Sequence, residues 1–240
     1  VLFFYTLVSF LFVTPDIKNA VSIDFHYIGF IMVKSLIIFI AWICSFRAIK
    51  RIPIGFYGIM DMSRVIFASA LGVLVLSEVL TRNKIIGMAM VLAGLLLVNL
   101  VKSSNGEKVK PVFIVLILIS CLGNALSELL DKMLMQHMNS GQLQFWYMFF
   151  LVVLYLCYLF ISRTKIRWRS LFKNYWVWIL SILFVIGDKA LFIACAMTLI
   201  KQCSVLITII GGRIVFKEER TAYKLMCAGI IITGIVLAVI

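Results

Sequence analysis

Several charged residues stand where the chain is otherwise apolar, and their spacing limits the chemistry open to them. Asp61 and Arg64 lie three residues apart, so a helix there puts a carboxylate and a guanidinium on one face, close enough to pair. Asn124 and Glu128 lie four apart, again on one helical face. Lys34 stands alone among aliphatic and aromatic neighbours, and Asp188-Lys189 interrupts a further apolar run. Lys34, Arg64 and Lys189 are suited to attract anionic or zwitterionic solutes. Asp61, Glu128 and Asp188 are suited to bind amines or to carry a coupling proton, because burial in general brings carboxyl ionisation towards neutral pH. These seven residues, Asn124 included, form the expected substrate-binding set. The competing reading is that they neutralise one another as packing pairs between helices.

Other polar groups read differently. Asp131 and Lys132 fall near a helix end and are expected among lipid headgroups, while Arg213 is expected to snorkel to the interface. Glu78 and Glu218 each close an apolar helix beside basic residues and read as architectural. His26 and His137 sit at helix edges as interfacial polar residues. The six cysteines are scattered singly, without CxxC or CxxxH spacing, and imply neither disulfide nor metal. There is no HExxH, no GxSxG and no phosphate-binding glycine loop, so neither an enzyme nor a cofactor is expected.

The elements that must position these charges are membrane helices. The chain is 64% hydrophobic, against about 45–50% apolar in a soluble domain. No water-soluble core hides that much apolar surface, so lipid must be the solvent for much of it. Strict alternation is absent, which argues against an outer-membrane barrel. The net charge of +13 lies in short turns such as Arg163–Lys173, where it meets anionic headgroups, and no motif supports nucleic-acid binding. Windows of about 20 apolar residues predict helices near 1–13, 27–49, 54–77, 84–101, 111–135, 143–162, 175–198, 202–217 and 222–240. Residues 175–217 are tight for two crossings, so either the eighth helix is expected to be short or residues are expected to be absent near Ala196–Leu199.

Two stretches repeat one another. Residues 61–78 (DMSRVIFASALGVLVLSE) and 201–218 (KQCSVLITIIGGRIVFKE) superpose at an offset of 140, as do Thr81 with Thr221 and Gly94 with Gly234. In each copy an apolar helix ends at a glutamate, a short polar turn follows, and a second apolar helix carries a glycine. The first repeat is read as 1–101, the linker as 102–110 and the second repeat as 111–240. The second holds five predicted helices and the first four, so a helix is expected to precede Val1 in a ten-helix parent. An odd number per half makes the repeats face opposite ways across the bilayer. Small residues at Gly87, Ala89, Ala93 and Gly94, and at Ala228, Gly229, Thr233 and Gly234, permit close helix packing within the bundle.

These two helix–Glu–turn–glycine-helix units, with the polar helix end Ser127-Glu-Leu-Leu-Asp131-Lys132 ahead of Gln144-Phe-Trp-Tyr147, resemble the drug/metabolite transporter superfamily and its EamA-like ten-helix members. The resemblance implies an all-α polytopic membrane protein with an inverted five-helix repeat and a substrate cavity between the halves. It does not single out one substrate among amino acids, sugars, nucleotide sugars, amines and drugs. The expected function is transport of a small molecule by alternating access, proton-coupled or facilitative, since no nucleotide-binding motif supplies ATP energy. A non-transporting membrane scaffold, or an inactive transporter fragment, is the alternative. Few polar insertions and no lumenal cysteine pairs fit a bacterial inner membrane.

Overall fold

A computed structural model describes residues 6–8, 10, 23–77, 79–100, 110–162, 175–176, 178–179, 181–183, 186, 198–216 and 220–239. Among them lie, in order, the helices α1 (Phe25–Ile49), α2 (Ile54–Asp61), α3 (Arg64–Leu76), α4 (Arg82–Leu100), α5 (Pro111–Leu134), α6 (Ser140–Ile161), α7 (Thr198–Phe216) and α8 (Thr221–Val239). No strand occurs among the described residues. Among the described residues, five stretches are long and apolar enough to cross a bilayer: Phe25–Ile49, Ile54–Leu76, Pro111–Leu134, Ser140–Ile161 and Thr221–Ala238. Outward-facing side chains such as Leu74, Leu96, Phe160 and Ile214 are large, apolar and mostly exposed, as lipid requires and water penalises. The chain is a polytopic all-α membrane protein.

Helix boundaries follow local chemistry. Pro53 precedes α2, and Pro111 opens α5 at the first helical position, where a missing N–H costs nothing. The Asn139 N–H donates to Gln142 Oε1 at 3.0 Å, which satisfies one of the donors exposed at the start of α6. At the end of α3, Ser77 adopts a left-handed conformation (φ 53°) and its N–H closes on Gly72 O.

The chain divides into two compact units, residues 1–39 with 130–196, and residues 40–129 with 197–240. In the first unit, α1 buries Ile31, Lys34, Ser35 and Ile38, a stripe at three- and four-residue spacing. That stripe meets Tyr147 and Tyr155 of α6. Tyr27 stacks on His137 at 5.3 Å, Ser35 Oγ donates to Tyr147 O at 3.4 Å, and the Phe39 ring lies 4.9 Å from that of Tyr155. Contacts that advance together along both sequences make α1 and α6 parallel.

The second unit is organised by α4 and α8, the two glycine-bearing helices of the repeat. Gly87, Val91, Gly94 and Leu95 are buried on α4, and Cys227, Ile231, Gly234 and Ile235, each 140 residues later, are buried on α8. The contacts are reciprocal. Gly87 meets Gly234, and Gly94 meets Ile231 and the Cys227 carbonyl. A Cβ on Gly234 would lie 2.7 Å from Gly87 O, so only glycine allows the backbones this close. Tyr223 Oη donates to Leu97 O at 3.0 Å. Residue numbers that rise on one helix while falling on the other make the pair antiparallel, with a local twofold axis near Val91 and Ile231. Beside it, α7 packs on α2, where Gly58 admits Val205 and Thr208.

One expected element is different. The helix expected over 54–77 is interrupted into α2 and α3. Met62 and Ser63 N–H groups bond to Ile59 O and Met60 O, and Val65 N–H bonds to Met62 O, so the backbone tightens to three-residue hydrogen bonds for one turn. The α7 helix begins at Thr198, earlier than the 202 expected.

Candidate functional site

The interruption between α2 and α3 lies beside the charges. Asp61 is the last residue of α2 and Arg64 the first of α3, so the two are separated by a turn rather than stacked on one continuous face. Arg64 does not pair with Asp61 as the spacing suggests. Its Nε lies 3.7 Å from Glu128 Oε1 on α5, with the Arg64 side chain 20% and the Glu128 side chain 38% exposed. Along the α2–α3 stretch and α5 the residues rise together: Asp61 meets Cys121, and Arg64, three residues on, meets Glu128, seven residues on.

Cys121 is fully buried and occupies the centre of this cluster. Its Sγ lies 3.7 Å from Asp61 Oδ1, 3.7 Å from Asp61 O and 3.8 Å from Met60 O. The Asp61 carbonyl is available because its regular helical donor, the Val65 N–H, is bonded to Met62 O. Ser63 Oγ is buried against the Cys121 thiol in a geometry that completes no hydrogen bond. One turn before Asp61, the Tyr57 hydroxyl and Ser45 Oγ share a hydrogen bond of 2.5 Å. Asn124 stands one turn before Glu128, but its Nδ2 donates to Ser120 O at 2.9 Å along its own helix.

Lys34 belongs to the other unit. It is 1% exposed, with its Nζ 2.9 Å from Asp131 Oδ1 and 3.6 Å from the centre of the Tyr147 ring. Asp131 is therefore a correction: it is the counter-ion of a buried lysine, whereas its place near a helix end had suggested lipid headgroups. A lysine this deep needs an anion within reach, and the C-terminal turns of α5 supply one. The π face of Tyr147 adds a second attraction to the ammonium.

Of the seven expected site residues, Asp61, Arg64 and Glu128 are brought together, Asn124 adjoins them, and Lys34 is engaged separately. Asp188 and Lys189 lie outside the described residues, as do Glu78 and Glu218. Cys121, Ser63 and Tyr147 were not legible as site residues. A cysteine, a serine and a tyrosine in apolar helices carry no signal until their neighbours are known. Among the described residues, no three His, Cys, Asp or Glu side chains converge as a metal site would require.

In both ion pairs the cation comes from residues 1–101 (Lys34, Arg64) and the anion from residues 111–240 (Asp131, Glu128). Comparison with known families agrees with the resemblance read from the helix–Glu–turn–glycine-helix units. The model of the EamA-like transporter family matches residues 1–100. No curated protein matches the chain.

Proposed function

We propose that this chain, whose first hundred residues match the EamA-like transporter family, carries a small molecule across the membrane by alternating access. The observation that supports this most is the Arg64–Glu128 pair beside an interrupted helix, at membrane depth, with one partner from each repeat. Intramembrane ionisable groups face a partner or a wet path, because a bare charge there costs at least about 2.5–3.5 kcal/mol. Interrupted helices are where carriers place polar backbone and charge for solutes and coupling ions. The antiparallel twofold pairing of α4 with α8 supports an inverted relation between residues 1–101 and 111–240. In such a repeat, motion of one half against the other exposes the polar cluster first to one side and then to the other.

The substrate is a small metabolite or drug-like molecule with at least one charged group, and movement is proton-coupled or facilitative. Asp61, Arg64 and Glu128 hold it, with Asn124 at the edge. The match to a transporter family favours carriage over catalysis, and a bacterial inner membrane is the proposed location.

Flux into proteoliposomes of the full-length protein, over a panel of amino acids, amines, sugars and nucleotide sugars, tests this. At least one solute should move, and Arg64→Gln should lower its rate by an order of magnitude or more (~10-fold for ~1.4 kcal/mol). A flux indifferent to Arg64→Gln would remove the site. No flux of any solute would leave the scaffold reading.

A further inference from the structure

We infer that Asp61, rather than Glu128, is the group that takes up and releases the coupling proton, and that Cys121 is the residue that positions it. The inference deepens the carrier reading above and rests on it for its physiological meaning, although the proton site itself is testable alone.

The two carboxylates of the cluster differ in what they face. Glu128 faces a cation, Arg64 Nε at 3.7 Å. Protonating Glu128 would remove the nearest counter-charge of Arg64 and leave Asp61 as the weaker of its two carboxylate partners. Asp61 Oδ1 faces the Cys121 thiol at 3.7 Å. A thiol is a neutral, weak donor and also a weak acceptor. The Asp61 carboxylate can accept from the S–H, and the protonated acid can donate to sulfur or to the adjacent Met60 carbonyl. Either state has a hydrogen-bond partner, and protonation of Asp61 leaves the Arg64–Glu128 pair intact. With Arg64 and Glu128 matched, protonation of Asp61 takes the trio from a net charge of minus one to neutral, the form better suited to cross the membrane.

The surroundings hold hydrogen-bonding capacity in reserve. The Asp61 and Met60 carbonyls lie 3.7 and 3.8 Å from the same sulfur, and Ser63 Oγ, on a residue 3% exposed, is without a hydrogen-bond partner. The tight turn at Met62–Ser63 turns all of these groups towards Cys121. Among the described residues, the titratable groups facing Asp61 are Tyr57 on α2, Arg64 on α3, and Cys121 on α5, with Glu128 facing it through Arg64. The side chain of Lys201, on the α7 helix that packs against α2, lies outside the described residues. The step balances simply. One proton is taken from water on one side as an O–H bond on Asp61, and the same proton is returned to water on the other. Cys121 keeps its own proton throughout.

Infrared difference spectroscopy of the full-length protein in liposomes, titrated between acid and alkaline pH, reads this without knowledge of the substrate. A carboxyl C=O band that grows on acidification should persist in Glu128→Gln and vanish in Asp61→Asn. In a variant whose other five cysteines are alanine, the S–H stretch of Cys121 should shift with the same midpoint. Cys121→Ala removes a donor from the ionised form, so the midpoint should move upward by about half a pH unit or more. Cys121→Ser, which keeps an O–H donor, should restore it, a rescue that simple packing would not produce. The inference is overturned if the band disappears in Glu128→Gln and survives in Asp61→Asn, if it is absent from the wild type, or if the S–H stretch ignores the titration. A midpoint that moves in Lys201→Met and not in Cys121→Ala would overturn the role of the thiol. Should the spectra behave as expected while no solute moves in the flux assay, the proton site stands and the carrier reading alone fails.

Discussion

Lys34 Nζ lies 2.9 Å from Asp131 Oδ1, although 97 residues separate the two in sequence. The pair joins a cation near the middle of one apolar helix to an anion near the end of another, and Tyr147 covers the ammonium from a third. A lone lysine in an apolar run is costly, and this geometry is what makes it tolerable.

Removing one member should therefore be worse than removing both. Lys34→Met leaves the Asp131 carboxylate without its cation and should lower stability by about 3 kcal/mol. Lys34→Met with Asp131→Leu should recover most of that loss. Thermal unfolding of the four proteins in one detergent forms a double-mutant cycle, and additive effects would show that the ion pair contributes nothing.

The α4–α8 contact predicts two sensitive glycines and one indifferent one. Gly87→Val and Gly234→Val must push apart backbones that now touch, and each should lower stability by about 1–3 kcal/mol. Gly211→Ala meets nothing within 4 Å and should leave stability unchanged or slightly raised. Equal melting temperatures for all three variants would contradict the contact.

The antiparallel packing of α4 and α8 predicts that their first turns lie on opposite sides of the bilayer. Lys84→Cys and Lys224→Cys, each three residues after the equivalent threonines Thr81 and Thr221, should label from opposite faces with a membrane-impermeant maleimide. The six native cysteines are first replaced. Labelling of both from one face would refute the inverted relation of the repeats.

Ser77 holds a left-handed φ of 53°, a conformation that glycine enters without the Cβ penalty. Ser77→Gly should raise stability by about 0.5–1 kcal/mol, read as a higher melting temperature. A lower one would mean that the serine side chain makes a contact worth more than the strain.

The sequence determined the solvent, the elements and the internal repetition. Runs of about 20 apolar residues require helices in lipid, because no other open structure satisfies its own backbone there. The 140-residue offset made Gly94 the equivalent of Gly234, and the buried positions on α4 and α8 follow the same offset. Only the tertiary structure decided which charge meets which. Asp61 and Arg64 are neighbours in sequence, yet Arg64 lies against Glu128 and Asp61 against Cys121. Hydrophobicity and periodicity are properties of adjacent residues and can be read along a chain. Pairing depends on the register and rotation of helices distant in sequence, and on a shift from four- to three-residue hydrogen bonds at Met62–Ser63 that no distinctive residue announces.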